Sequence, residues 1–259
     1  MPFPFGPNAG GVRSRSGLTP GATPPSGRRL RRNRGLILDL DDTLYPRERY
    51  VRSGFAAVAK YLERRWGIPA NTAFSLLSRA FTSAHVGREF QAACQKFELP
   101  REEVTAMLRV FRAHKPSLWL PYETGQVLRQ LRTEGWRLAI LTNGLPSVQK
   151  AKVEALALET MVDQVIYAEA VTRRGKPDAE TFVEALNRLD LPADRCVAFG
   201  DDLMTDIRGA RAAGLWTIRL ARTQLLVKDE YEADLIVRSI EDLPRAATGV
   251  LSMVALDAA

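Results

Sequence analysis

Six short runs of consecutive apolar residues set the frame for this chain. They begin with Leu36-Ile37-Leu38-Asp39-Leu40 and continue with Leu138-Ala139-Ile140-Leu141, Val165-Ile166-Tyr167 and Cys196-Val197-Ala198-Phe199. Trp216-Thr217-Ile218 and Asp234-Leu235-Ile236-Val237 complete the set. A strand with one face in water alternates apolar and polar residues, so an unbroken apolar run marks a strand covered on both faces. Amphipathic stretches such as Val148 to Leu158 and Ala179 to Leu189 separate the runs. Strands alternating with helices imply a parallel sheet with helices on both sides. The expected fold is α/β, a Rossmann-like doubly wound parallel sheet.

One long stretch breaks the rhythm. From about Arg49 to Lys115 the sequence reads as helix after helix, with Val51, Phe55, Val58, Leu62 and Trp66 on one helical face and Val104, Met107, Leu108 and Phe111 on another. The expectation is an inserted all-helical domain of three or four helices over residues 49–115, with the sheet core in 35–48 and 116–259. Phe55, Phe111 and Trp66 read as the core of that insert.

The net charge of +7 suggests a nucleic-acid partner until its location is considered. Arg13, Arg15, Arg28, Arg29, Arg31, Arg32 and Arg34 all fall within residues 1–34, which contain no Asp or Glu, and the rest of the chain is balanced. Residues 1–34 are rich in Pro, Gly and Ser and have no apolar periodicity, so they read as a disordered basic tail. A nucleic-acid function is therefore not expected. No apolar run approaches the roughly 18 residues that a spanning helix needs. Cys94 and Cys196 match no zinc or redox spacing, which favours a reduced, cytoplasmic setting.

In an open parallel sheet, ligand sites lie at the carboxyl ends of the strands. The first strand ends in Asp39-Leu40-Asp41-Asp42-Thr43, the second in Thr142-Asn143-Gly144, and the fourth in Gly200-Asp201-Asp202 with Asp206 a turn further on. Lys176 follows the third strand. Carboxylates crowded into one crevice repel one another. A hard divalent cation such as Mg²⁺ relieves that repulsion while also binding phosphate oxygens. The inventory therefore suits metal-assisted phosphoryl transfer, with one Asp as nucleophile and another as acid.

Taken together, the four segments resemble the haloacid dehalogenase superfamily of phosphohydrolases over about residues 35–245. Leu36 to Leu44 is similar to the first motif, Leu138 to Gly144 to the second, Lys176-Pro177-Asp178 to the third and Val197 to Asp206 to the fourth. Ala179 stands where many relatives carry a second proline. The resemblance implies that Asp39 forms an aspartyl-phosphate and that Asp41 protonates the leaving alcohol and then activates water. It implies that Mg²⁺ is held by the Asp39 carboxylate, the Asp41 carbonyl and Asp201. Thr142 and the Asn143 amide would bind phosphate, Lys176 would balance charge, and Asp206 would orient Lys176 or metal waters rather than touch the metal. Asp202 can assist either neighbour.

An acid at Asp41 favours phosphate esters, since the dehalogenases have none at that place. The insert, lying between Thr43 and Thr142, is implied to be a cap closing over a small phosphate ester, a sugar phosphate or nucleoside monophosphate. Tyr45, Arg47, Arg49, His85, Arg88, Arg112, His114 and Lys115 are candidate polar residues around it. A phosphomutase or phosphotransferase on the same chemistry, or a binding protein on a retained fold, are the alternatives. The oligomeric state is not readable.

Overall fold

The structure, a computed structural model, describes residues 34–82, 87–222 and 233–257. The basic tail up to residue 33 and the candidate His85 lie outside the described residues. All six apolar runs form strands: β1 (Gly35–Leu38), β2 (Arg137–Thr142), β3 (Gln164–Tyr167), β4 (Cys196–Gly200), β5 (Trp216–Leu220) and β6 (Leu235–Val237). They pair in parallel in the order β3-β2-β1-β4-β5-β6. Leu36 sits in register with Leu138 on one side and Val197 on the other. The order reverses at β1, so the crevice of this sheet opens beyond the carboxyl ends of β1, β2 and β4.

The unbroken apolar runs are explained by the two faces. Side chains alternate across a strand, and Leu36 and Leu38 enter one buried cluster while Ile37 enters another. Between the insert and β2 runs α5 (Tyr122–Thr133). The first cluster packs beneath α5, α6 (Pro146–Ala155) and α10 (Leu243–Asp257). The second lies beneath α8 (Ala179–Leu189) and the short α9 (Arg208–Ala212), and a single helical turn α7 (Ala168–Val171) follows β3.

Between β1 and α5 the described residues form four helices: α1 (Glu48–Trp66), α2 (Ala70–Phe81), α3 (Glu89–Lys96) and α4 (Glu103–Ala113). They share a separate apolar cluster in which Phe55, Val58, Leu62, Leu77 and Met107 are buried. Trp66 departs from the expected insert core. It lies at the last residue of α1, beside the left-handed Gly67 that ends the helix, and is 39% exposed. Phe111 packs against both this cluster and the sheet cluster, joining the two. Among the described residues, no helix is long and apolar enough to cross a membrane.

Candidate active site

The chain just after β1 is wound tightly. Leu44 N–H donates to the Leu40 carbonyl at 3.0 Å and Asp42 N–H to Tyr45 at 2.9 Å, with Asp42 itself at φ 60°. Asp tolerates this left-handed conformation better than most residues. The winding brings Asp39 and Asp41 to the mouth of the sheet, where Arg222 donates to the Asp42 and Thr43 carbonyls and steadies the loop.

Lys176 anchors the site. It is 4% exposed, and its Nζ donates to Asp39 Oδ1 at 2.6 Å and to Asp206 Oδ1 at 2.7 Å. Burial works against its charge, but the two carboxylates outweigh burial and raise its proton affinity. Asp39 is affected in the opposite balance. Burial lifts its pKa to about 7, Lys176 pulls it down, and Asp206 and Asp41 push it up. Asp201, which accepts from Thr43 Oγ1 at 3.0 Å, is raised to about 6 by burial and by the Asp39 charge.

Three of these acids form a group. One carboxylate oxygen from each of Asp39, Asp201 and Asp206 lies within 4.8 Å of the others. Three carboxylate oxygens at this spacing, with the proton affinity of Asp39 and Asp201 raised first by burial and then by neighbouring acids, suit a hard divalent cation. Asp206 reaches the group because Gly200 leaves room for it. A Cβ at Gly200 would stand 2.2 Å from Asp206 Oδ2.

Asp202 stands apart from this group. It is exposed, and its Oδ1 accepts from the Met204 and Thr205 amides at 2.8 and 2.7 Å. Its side chain caps the helical segment that carries Asp206, and its own amide donates to Asp206 Oδ2 at 3.1 Å. Its part in the site is to fix that segment.

Asp41 faces a second set of partners, two of which the sequence reading did not single out. Lys152 Nζ lies 2.9 and 2.6 Å from its two oxygens, Gln149 Nε2 lies 3.0 Å from Oδ2, and Tyr45 Oη donates to Oδ1 at 2.6 Å. Burial would raise the Asp41 pKa, but Lys152, Gln149 and Tyr45 outweigh it and hold the carboxyl below its ordinary value. Gln149 also lies 2.5 Å from Thr142 Oγ1 and 2.6 Å from the Asn143 carbonyl, so one amide links the acid to the end of β2. Lys152 further stacks on the Tyr50 ring of α1, 4.5 Å from its centre.

Thr142 is buried at the end of β2. Both polar atoms of the Asn143 side chain are engaged. Its Nδ2 donates to the Lys176 carbonyl at 2.9 Å, and its Oδ1 accepts from the Lys176 amide at 2.7 Å. That zipper ties the second and third motifs together and requires Gly175, at φ 66°, where a Cβ would come 2.6 Å from Asn143 Oδ1.

Beyond Asp41 lies a cavity of about 560 Å³ between α1, α4 and α6, bordered by Arg47, Arg112, Phe111 and Lys152. Of the other polar candidates, Tyr45 is buried on Asp41 and Arg49 is held on Trp119, through its carbonyl at 3.0 Å and its ring at 4.3 Å. His114 packs against Tyr50 and Phe111, while Arg88 and Lys115 are exposed. A larger hollow of about 820 Å³ between α5 and α10 lies by Arg34, before β1, at the opposite end of the sheet from these acids.

A six-stranded parallel sheet with an acid-and-lysine crevice at its switch point and a helical insert after β1 defines a hydrolase class. A family model of haloacid dehalogenase-like hydrolases matches residues 34–214, and the chain belongs to that family. Among curated proteins it is 29% identical to a glyceraldehyde 3-phosphate phosphatase of Methanocaldococcus jannaschii, over 81% of this chain and 95% of that one. It is 30% identical to a ribulose-1,5-bisphosphate 5-phosphatase of Halopiger xanaduensis, over 71% and 82%. In fold it is similar to a 2-haloacid dehalogenase of Pseudomonas syringae, with TM-score 0.59 and 24% identity over 83% of this chain and 98% of that one.

Proposed function

We propose that the protein is a Mg²⁺-dependent phosphatase that hydrolyses a small phosphorylated metabolite in the cytoplasm through an aspartyl-phosphate on Asp39. The observation that carries this reading is the division of labour between two neighbouring acids. Asp39 lies beside Lys176 and the carboxylate group, whereas Asp41 lies beside Lys152 and Gln149 at the cavity. The curated relatives named above, phosphatases of small sugar phosphates by name, support the substrate class.

In the first half-reaction an Asp39 oxygen attacks phosphorus, the bond to the leaving oxygen breaks, and a proton on Asp41 passes to that oxygen. In the second, Asp41 takes a proton from water as the water attacks phosphorus and the Asp39–phosphorus bond breaks. The ion pair with Lys152 holds Asp41 in its base form. An arriving phosphate dianion raises its proton affinity through like-charge repulsion and so prepares it as an acid. Thr142 and the Asn143 amide receive phosphate oxygens, and Lys176 offsets the charge that gathers during transfer. Asp39, Asp201 and the Asp41 carbonyl would hold Mg²⁺, with Asp206 positioning Lys176. When bound, the cation supplies the positive charge that the carboxylate group lacks. Residues 49–115 act as the cap, with 35–48 and 116–259 as the catalytic core.

The test is phosphate release in Mg²⁺ across a panel of sugar phosphates, nucleotides and phosphorylated acids, with Asp39→Asn alongside. Asp39→Asn is expected to lose at least about a thousandfold in turnover. Turnover in that variant within tenfold of the natural chain would overturn the mechanism. Phosphate passed to a second hydroxyl with none released would identify a phosphotransferase instead.

A further inference from the structure

If Asp41 serves the leaving oxygen, the rest of the leaving group must occupy the cavity that Asp41 borders. That cavity, about 560 Å³, has the dimensions of a small-metabolite site. What it can bind follows from which of its polar groups remain uncommitted. The Gln149 amide nitrogen is taken by Asp41, Thr142 and Asn143, Lys152 by Asp41, and the Asn143 side chain by the Lys176 backbone. Val51, Leu108 and Phe111 contribute apolar wall. Arg47, Arg112 and Glu169 remain, with the Gln149 amide oxygen and the Tyr50 hydroxyl, which lies 3.5 Å from the Phe111 carbonyl.

Both arginines are exposed at the rim of this cavity. Some exposed helical arginines lie against a carboxylate, as Arg52, Arg132 and Arg188 do, and others, such as Arg64 and Arg109, enter no ion pair among the described residues. Among the described residues, neither Arg47 nor Arg112 enters an ion pair. Their charges nonetheless reach the cavity wall, Arg47 opposing the charge of Lys152 and Arg112 favouring ionisation of Tyr50. They come from opposite ends of the insert, Arg47 just ahead of α1 and Arg112 in the last turn of α4. A neutral polyol would find acceptors there in Glu169, the Gln149 amide oxygen and the Tyr50 hydroxyl, but would leave two guanidinium charges unpaired. An anion would pair with the guanidiniums, whose planar forks suit carboxylate or phosphate oxygens.

We propose that Arg47 and Arg112 form an anion subsite for the leaving group, so that the preferred substrates are phosphate monoesters whose alcohol carries a second negative group. A carboxylate and a further phosphate share that chemistry. The inference rests on the phosphatase reading above and narrows its substrate class.

The experiment compares kcat/KM for the full-length protein in Mg²⁺ on four esters: glycerol phosphate, phosphoglycerate, fructose bisphosphate and p-nitrophenyl phosphate. At least one of the two anionic esters is expected to exceed glycerol phosphate by about tenfold or more, mainly through KM. Which of the two prevails distinguishes carboxylate from phosphate. Arg47→Met and Arg112→Met should each remove most of that advantage while costing glycerol phosphate less, and Arg112→Lys should keep part of it. Glycerol phosphate and p-nitrophenyl phosphate turned over as well as both anionic esters would overturn the subsite and leave the phosphatase standing. Equal losses on all esters in the arginine variants would do the same. No hydrolysis of any of the four would sink the phosphatase reading, and the subsite with it.

Discussion

At the carboxyl edge of the sheet, Lys176 is buried between Asp39 and Asp206 at 2.6 and 2.7 Å, and Lys152 is buried on Asp41. In the helical insert, Phe55, Leu77 and Met107 meet through apolar contacts, and the ion pair between Arg52 and Glu48 lies on the surface. The first region is held by directional bonds between charges that are costly to leave unpaired. The second is held by packing, which tolerates exchange of one apolar side chain for another of similar volume. The proposed chemistry thus lies where each atom has a specified partner, and the proposed selectivity in a region whose frame constrains its surface residues much less.

The sharpest way to break that contrast is to remove one charge from the strand-end network. Lys176→Met would leave Asp39 and Asp206 facing each other without their shared cation. Turnover should fall by about a thousandfold or more, and a loss under tenfold would show that the network is not the seat of the chemistry. Next in size is Lys152→Met. If Lys152 positions Asp41 for proton transfer, alkyl phosphates should lose about a hundredfold. The loss should be much smaller for p-nitrophenyl phosphate, whose leaving group needs no proton. Equal losses on both would mean that Lys152 acts by supporting the fold.

The insert should behave differently. Leu77→Ala should cost about 2–5 kcal/mol in denaturant unfolding as the cavity opens, with kcat changed by only a few-fold in protein that is still folded. A collapse of kcat in folded protein would erase the distinction between the two regions.

The smallest effect separates them by pH. Burial lifts Asp39 from 3.8 to about 7 and Asp201 to about 6. As pH rises through this window the unfolded chain gives up these protons before the metal-free folded chain does, so folding loses stability with rising pH. The metal-free protein should melt at least about 3 °C lower near pH 8 than near pH 5, and Mg²⁺ should raise Tm more at the higher pH. A Tm that rises with pH in the absence of metal would contradict the effect of burial on these acids.

The same contrast governs what could be read from sequence. Asp39, Asp41, Thr142, Lys176, Asp201 and Asp206 follow strands, and the topology of a parallel sheet brings strand ends together whatever the details of packing. The six strands were legible for a related reason, since each is an apolar run covered on both faces. Gln149 and Lys152 escaped because a polar residue in a helix ordinarily faces water. A signal was present nonetheless. With Val153 and Leu156 they occupy the spacing of a single helical face, and that face is buried. Two polar residues on an otherwise apolar stripe mark a helix that approaches something polar. The paired bonding of Asn143 to the Lys176 backbone had no such sign, because it depends on two distant loops meeting in three dimensions.

On this mechanism Asp39 carries the phosphoryl group, and trapping that group is the decisive experiment. The enzyme would be mixed with its best substrate and Mg²⁺, quenched in acid, reduced with borohydride and mapped by peptide mass spectrometry. The account predicts that the peptide containing Asp39 is phosphorylated before reduction and carries homoserine at that position after it, with neither change in Asp39→Asn. Substrate turnover with the phosphoryl group on another residue, or with Asp39 unmodified under conditions that accumulate the intermediate, would contradict it.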